Sequence, residues 1–320
     1  MISRRHTLGL LGAAAASSAL PFLRPAQAAA ATTLRIGWQK NGVLALAKRK
    51  GALEKRLAGQ GVSVEWSEFT SGPPLLEALG AGALDFGATG DVPPLFAQAA
   101  NGNLVYVGLY VGSPDASAIV VHRDSPIRSL ADLKGKKLAF KRGSSAHNVS
   151  VKALRKGGLT PSDVEAIDLS PPDAAAAFKT GAIDAWSIWD PYLALAELKE
   201  NARILVFDKD VHRPNAFYIA NTDFVEKYPS LVAKLNTTFA SEGVWANGHH
   251  EDVAKAQADA TGVDIEAVRR FVDRSNFRVV PLDAEVIASQ QAVADRFAKL
   301  GLIPKPVNVS DIVWKWTPGS

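Results

Sequence analysis

The chain has no cysteine. That absence removes disulfides, thiolate nucleophiles, cysteine-type zinc sites and any lipid anchor carried on a processed cysteine. No Gly-x-Ser-x-Gly elbow and no Gly-x-x-x-x-Gly-Lys-Ser/Thr loop occurs, so hydrolase and phosphate-loop readings have no support. His249-His250-Glu251 lacks a second histidine four residues beyond His250, so the zinc-protease pattern is not formed and these residues read as an exposed connection between helices. Outside the leader no apolar run is long enough to cross a bilayer. Net charge is small as well. Residues 1–28 hold Arg4, Arg5 and Arg24 and no acid, so the formal net charge of +4 falls by 3 to about +1 without them. A nearly neutral chain lacks the concentrated basic face that non-specific nucleic-acid binding needs, and no nucleic-acid partner is expected.

What is present begins with an export signal. Arg4-Arg5 form a basic start, Leu8 to Leu20 is an apolar run, and Ala26-Gln27-Ala28 is a small-residue cleavage signature. Residues 1–28 are therefore expected to be removed after export. Ser3-Arg4-Arg5-His6-Thr7-Leu8 resembles a twin-arginine signal with Thr7 where Phe is usual, so a Sec signal stays open. The 320 residues, 47% hydrophobic and 21% charged, suit a soluble protein with about two well-buried cores, which at this size need no disulfides.

The mature chain alternates strands and helices. Strands are expected at residues 33–38, 62–69, 84–88 and 104–110, with helices at 43–58, 75–79 and 92–100 between them. The pattern resumes with strands at 118–122, 137–140 and 166–169, a short helix at 130–133, and helices from Ser144 to Lys156 and from Ala174 to Lys179. This spacing argues for βαβ units and parallel sheets. A different texture follows a strand at 216–220: long amphipathic helices at 230–247, 265–273 and 283–300, expected to cover the first lobe.

One internal comparison is informative. Gly82-Ala-Leu-Asp-Phe-Gly-Ala-Thr-Gly-Asp91 and Gly181-Ala-Ile-Asp-Ala-Trp-Ser-Ile-Trp-Asp190 share Gly-Ala-x-Asp and a second Asp six residues later. Each second Asp precedes a proline and an apolar helix, the grammar of a helix start. Two similar α/β lobes follow, each presenting helix N-termini at the carboxyl edge of its sheet, where open α/β sheets bind ligands.

The stretch Lys137-Lys-Leu-Ala-Phe-Lys-Arg-Gly-Ser-Ser-Ala-His-Asn148 sits at such an edge. It is a strand, a Gly143 turn and a helix start rich in hydroxyl and amide donors. On its own residues it is either a serine-capped helix or a cradle for an anion, since first-turn N–H groups lack intrahelical partners. Lys141 and Arg142 are at most steering charges.

These residues, with Gly90-Asp-Val-Pro-Pro94, Ala185-Trp-Ser-Ile-Trp-Asp-Pro-Tyr192 and Asp124-Ser-Pro-Ile-Arg-Ser-Leu-Ala-Asp-Leu-Lys-Gly135, resemble the aliphatic-sulfonate-binding proteins of ABC importers, within the larger nitrate, taurine and sulfonate binding group. The resemblance runs from about Leu34 to about Ile303. It implies a two-lobed type II periplasmic binding protein fold, each lobe a mostly parallel sheet flanked by helices. Lobe 1 would comprise residues 32–116 with 217–320, including a helical cover, and lobe 2 residues 117–216. It also implies a periplasmic role without catalysis: a monomer that takes an alkanesulfonate as a sulfur source and delivers it to an inner-membrane permease with a cytoplasmic ATPase; the alternatives are a binding protein for taurine, nitrate or another small ligand on the same fold, or a non-cysteine enzyme with Ser145 and His147 as nucleophile and base. No cofactor and no metal are expected.

A sulfonate is a tetrahedral monoanion with three acceptor oxygens and an apolar tail. Neutral donors suit it better than a buried cation with its own desolvation cost. Ser144, Ser145, His147 and Asn148 are the candidates on one jaw. Gln39, Thr89 and Gly90 are the candidates on the other, with Ser117 at a crossing between lobes. Asp91 and Asp190 are helix caps, or contacts to a positively charged substituent. Trp186 and Trp189 are the apolar candidates for the tail, or core residues.

Overall fold

The computed structural model describes residues 32–211 and 215–317; the expected export signal lies outside the described residues. The first lobe begins with β1 (Thr32–Trp38), α1 (Gly42–Lys50), α2 (Ala52–Leu57), β2 (Val62–Glu68), α3 (Gly72–Gly80), β3 (Phe86–Gly90), α4 (Val92–Ala99) and β4 (Val105–Val111). The second contains β5 (Ser117–His122), β6 (Lys137–Phe140), α5 (Ser145–Lys156), β7 (Glu165–Asp168), α6 (Pro171–Lys179), β8 (Ala185–Trp189), α7 (Tyr192–Lys199) and β9 (Ala202–Phe207). The chain then returns through β10 (Asn215–Ala220) and ends in α8 (Thr222–Lys227), α9 (Pro229–Ala246), α10 (His250–Thr261), α11 (Ile265–Asp273), β11 (Val279–Val280) and α12 (Ala284–Lys299).

The strands form two sheets, ordered β11-β4-β10-β3-β1-β2 and β7-β6-β8-β5-β9. Each is covered on both faces. Leu34, Ile36, Leu44, Leu46 and Phe239 pack on one side of the first sheet, and Leu75, Leu79, Leu95, Phe217 and Phe297 on the other. The second sheet is sandwiched in the same way, with Val149 and Leu154 of α5 on one face and Phe178 and Leu193 on the opposite one.

Laid side by side, the two orders match: β2-β1-β3-β10-β4 corresponds to β7-β6-β8-β5-β9. In both, the first three strands pair in parallel. The fourth strand, β10 or β5, is antiparallel to both its neighbours. The short repeat in the sequence is thus the β3–α4 and β8–α7 corner of one architecture used twice. The correspondence also pairs α1 with α5, which the sequence comparison did not bring out.

Several expectations need correction. Each mostly parallel sheet contains a strand, β5 or β10, that follows a passage between sheets and runs against both its neighbours, which the spacing alone does not bring out. The helix expected over 43–58 is two helices, broken at Gly51, whose left-handed φ of 60° ends α1 after Lys48, Arg49 and Lys50; these cations suit a helix C-terminus. His249-His250-Glu251 opens α10 instead of forming a loose connection, and β9 was not anticipated.

Candidate functional site

The carboxyl ends of the parallel strands in both sheets face one cavity of about 130 Å³, lined from both lobes. Gln39, Asn41, Gly42, Val43, Leu44, Thr89, Gly90, Asp91, Tyr110 and Tyr218 line it from lobe 1. Ser117, Ser144, Ser145, Trp189, Asp190 and Asp208 line it from lobe 2. The lobes are closed on each other here. Asn41 Nδ2 donates to the Asp190 carbonyl at 3.1 Å, and Asn148 Nδ2 donates to Asp91 Oδ2 at 2.6 Å. Arg274, between α11 and β11, reaches across to Asp190 at 2.8 Å and Glu197 at 2.7 Å.

Helix N-termini converge on this cavity; the first turn of α7 is bound by the Asp190 carboxylate through the Ala194 N–H, whereas four others have no side-chain cap. Asn41 before α1, Ser71 before α3, Asp91 before α4 and Ser144 before α5 are all cap-competent residues, yet none accepts a cap bond. Of the helices starting elsewhere, α6, α8, α11 and α12 are capped by Ser170, Asn221, Asp264 and Asp283, while α2, α9 and α10 begin at residues without a side-chain cap bond. The reasons are local. In α3 and α4 the second and third positions are Pro73-Pro74 and Pro93-Pro94, which have no N–H for a cap to receive. Asp91 therefore does not act as the expected cap; its carboxylate instead crosses to Asn148. In α5 the Ser144 hydroxyl turns back to donate to the Lys141 carbonyl at 2.7 Å. That leaves the first-turn N–H groups of α1 and α5, the two corresponding helices of the repeat, directed at the cavity without a side-chain acceptor. Each such terminus carries partial positive charge.

Buried polar atoms on the wall complete the set. Thr89 Oγ1, Tyr218 Oη and Asp208 Oδ1 are buried and have no hydrogen-bond partner among the described residues. Gln39 lines the cavity with its amide held by the Ala88 carbonyl at 3.1 Å. Burial pushes the Asp190 carboxyl up to about 7, while the Arg274 guanidinium and the Ala194 N–H pull the other way.

Of the residues anticipated from sequence, the structure brings Gln39, Thr89, Gly90, Asp91, Ser117, Ser144, Ser145, Trp189 and Asp190 to the cavity. Three fall outside its lining. Trp186 is 1% exposed within the lobe 2 core beside Phe178; on a strand it faces opposite to Trp189, three positions on. His147 is stacked on Phe140 at 4.9 Å and edge-on to Phe297 at 5.1 Å, its Nδ1 accepting from the Gly143 N–H. Burial brings its pKa down to about 4, so it is a neutral packing residue between the lobes, not a donor in the cavity. Asn148 is fully buried and spends its amide on Asp91 and its oxygen on Arg296.

Asn41, Tyr110, Tyr218 and Asp208 were missed. Asn41 was accessible by extending the repeat, since it precedes α1 as Ser144 precedes α5. The tyrosines and Asp208 reach the cavity only through strand pairings distant in sequence.

Comparison with known proteins gives a consistent picture. Residues 46–246 match the family model described as NMT1/THI5 like. The chain is 40% identical to the periplasmic aliphatic sulphonate binding protein SsuA of Escherichia coli, whose crystal structure superposes with a TM-score of 0.81 over 90% of this chain and 94% of that one. It is 39% identical to the alkanesulfonate-binding protein SsuA of Xanthomonas axonopodis pv. citri, solved bound to MOPS, with a TM-score of 0.85 over 90% of this chain and 99% of the other. The desulfurization enzyme DszB, 19% identical with a TM-score of 0.64 over 90% of this chain and 97% of that one, shares the fold alone.

Proposed function

The chain belongs to the NMT1/THI5-like family, and from that membership we propose that it is the solute-binding component of an ABC importer, capturing aliphatic sulfonates for import as a sulfur source. In this reading residues 1–28 direct export to the periplasm by a twin-arginine-like or Sec route. Residues 32–116 with 217–320 form one jaw and 117–216 the other. The loaded monomer delivers its ligand to an inner-membrane permease with a cytoplasmic ATPase.

The observation that carries the reading is the pairing of α1 and α5, two uncapped helix N-termini facing one small cavity from opposite lobes. Their N–H groups, with Ser145, Thr89 Oγ1 and Tyr218 Oη, supply neutral donors to a tetrahedral anion. Each donor to an anion contributes about 1.5–3 kcal/mol, so a handful supports micromolar binding, about 8 kcal/mol, after ordering costs. Trp189 offers its ring to the tail.

The same geometry favours binding without chemistry. A serine nucleophile at Ser145 would need His147 as its base, and that ring is held between Phe140 and Phe297 with Nδ1 occupied. A melting-temperature panel of alkanesulfonates, nitrate and a pyrimidine tests the assignment. A ligand at 100 times its Kd adds about 2.7 kcal/mol, which is several degrees. A shift with nitrate or the pyrimidine and none with any sulfonate would overturn it.

A further inference from the structure

Among the described residues, the cavity wall carries three carboxyl groups, Asp91, Asp190 and Asp208, and no Lys or Arg. An ionised carboxylate facing an anionic ligand opposes it. Two of the three are turned to other partners. Asp91 accepts from Asn148 across the cleft, and Asp190 lies 2.8 Å from Arg274 and accepts from the Ala194 N–H at 3.0 Å. Asp208 is not. It opens the short turn Asp208–Asp210 after β9, is 2% exposed, and its Oδ1 is buried with no hydrogen-bond partner among the described residues.

Its surroundings do not support a charge. In its own turn Lys209 is paired with Asp115 at 2.6 Å. On α5, Lys156 donates to the Asp210 carbonyl at 2.8 Å, and Lys152 favours the charged form from a distance, without an ion pair. Asp91, at the head of α4 in the opposite lobe, opposes it. β5 meets the turn at its Ser117 end and has its one titratable residue, His122, at the other. A carboxylate here would be desolvated, unpaired and set against an anion. Burial accordingly raises the Asp208 carboxyl well above its ordinary range.

A neutral carboxyl reverses the conflict, because it carries an O–H donor. Asp208 then joins Thr89 Oγ1 and Tyr218 Oη, the unpartnered hydroxyls of the same wall. Resting on the sulfonate reading above, we propose that Asp208 is a further ligand-binding residue, a neutral acid whose O–H donates to a sulfonate oxygen. The ligand supplies the acceptor that the buried acid lacks. The acid adds a donor without the desolvation cost of a buried Lys or Arg. The bound anion in turn favours the proton, so sulfonate and proton are held together.

Infrared difference spectra of the purified protein with and without propane-1-sulfonate at pH 7 test this, since a neutral carboxyl absorbs apart from a carboxylate. A neutral-carboxyl band should move to lower frequency when the sulfonate is added. It should persist in Asp190→Asn and vanish in Asp208→Asn. By calorimetry Asp208→Asn, whose amide still donates, should bind the sulfonate within about threefold of wild type. Asp208→Leu should bind at least about tenfold more weakly, the loss expected for one hydrogen bond to a charged group. The wild-type and Asp190→Asn spectra do not depend on the Asp208 variants folding. Absence of a neutral-carboxyl band from those spectra, or a band that the sulfonate leaves unmoved, overturns the inference while the sulfonate reading stands. A moving band that survives Asp208→Asn, or equal binding by Asp208→Asn and Asp208→Leu, overturns the role of Asp208. Binding of no sulfonate at all overturns both.

Discussion

A Cβ placed on Gly90 would lie 2.8 Å from the Cβ of Ser145 and 2.9 Å from its Oγ. The backbone of one lobe therefore meets the first helical residue of the other with no spare room, at the rim of the cavity both of them line. Nothing within Gly90's own lobe is among the three nearest neighbours of that position. Gly90→Ala should thus leave lobe 1 intact and force the jaws apart. Overpacking of this kind costs about 1–3 kcal/mol, so sulfonate affinity should fall about 5- to 150-fold while the ligand-free melting temperature changes by no more than a degree or two. Unchanged affinity by calorimetry would mean that the bound form does not use this contact.

Ser145→Asp separates the two roles open to the serine turn. A carboxylate in the first turn of α5 is favourable for the helix, by about 0.3–1 kcal/mol, so a purely structural serine should tolerate it. An anion cradle should not, because the new charge sits where the sulfonate must. The expected outcome is an unchanged or slightly raised melting temperature with loss of most sulfonate affinity. Retained affinity would remove this turn from the site.

The aspects legible in the sequence were those with local causes. The helix Ile265–Asp273 emerged with its bounds intact because Ala267, Val268, Phe271 and Val272 recur at helical spacing behind an Asp264 cap. By contrast α10 buries only Val253, Ala254, Gln257 and Thr261, a face too small and polar to register as a periodic apolar pattern. In β9 only Ala202 and Val206 are buried, so a strand at the sheet edge gave no clean alternation. At the site, the serine turn and the Gly90-Asp91 corner were visible as motifs. The separation of Trp189 from Trp186 needed the strand's facing, and Asp208 and Tyr218 needed the closed lobes. His147 looked like a donor because its neighbours in sequence are donors; its environment is three phenylalanines, Phe140 at the end of the preceding strand and Phe96 and Phe297 from distant elements.

That environment makes His147 a source of acid sensitivity. Its pKa in the folded protein is lowered to about 4 by burial, with Arg142 adding to the effect, against about 6.5 for an exposed imidazole. Between those values the unfolded chain binds the proton and the folded one does not, so folding stability rises with pH through this window. The contribution is fully present above pH 6.5 and is lost as pH falls towards 4, amounting to about 3 kcal/mol. His147→Phe should flatten the pH dependence of the melting temperature in that range relative to wild type. Parallel curves for the two proteins would show that the imidazole titrates normally when folded.

The pair Asp190 and Arg274 gives a last test of how closure is held. Asp190 is 1% exposed and lies on the cavity wall, while Arg274 belongs to the opposite lobe and also holds Glu197. Removing one partner of a buried pair leaves the other without compensation, a loss of about 3–5 kcal/mol where the charge cannot be relieved. Here it can be. Burial already raises the Asp190 carboxyl to about 7 against the pull of Arg274, and without the guanidinium it should rise further and take up a proton. Arg274→Ala should therefore weaken sulfonate binding at pH 8, and the penalty should shrink on going to pH 6. In Asp190→Asn/Arg274→Ala the penalty should be smaller at pH 8 and independent of pH, because no carboxyl remains to titrate. Calorimetric titrations of the three proteins at both pH values measure this directly. An Arg274→Ala penalty that is the same at pH 6 and pH 8 would show that Asp190 stays ionised when it loses its partner.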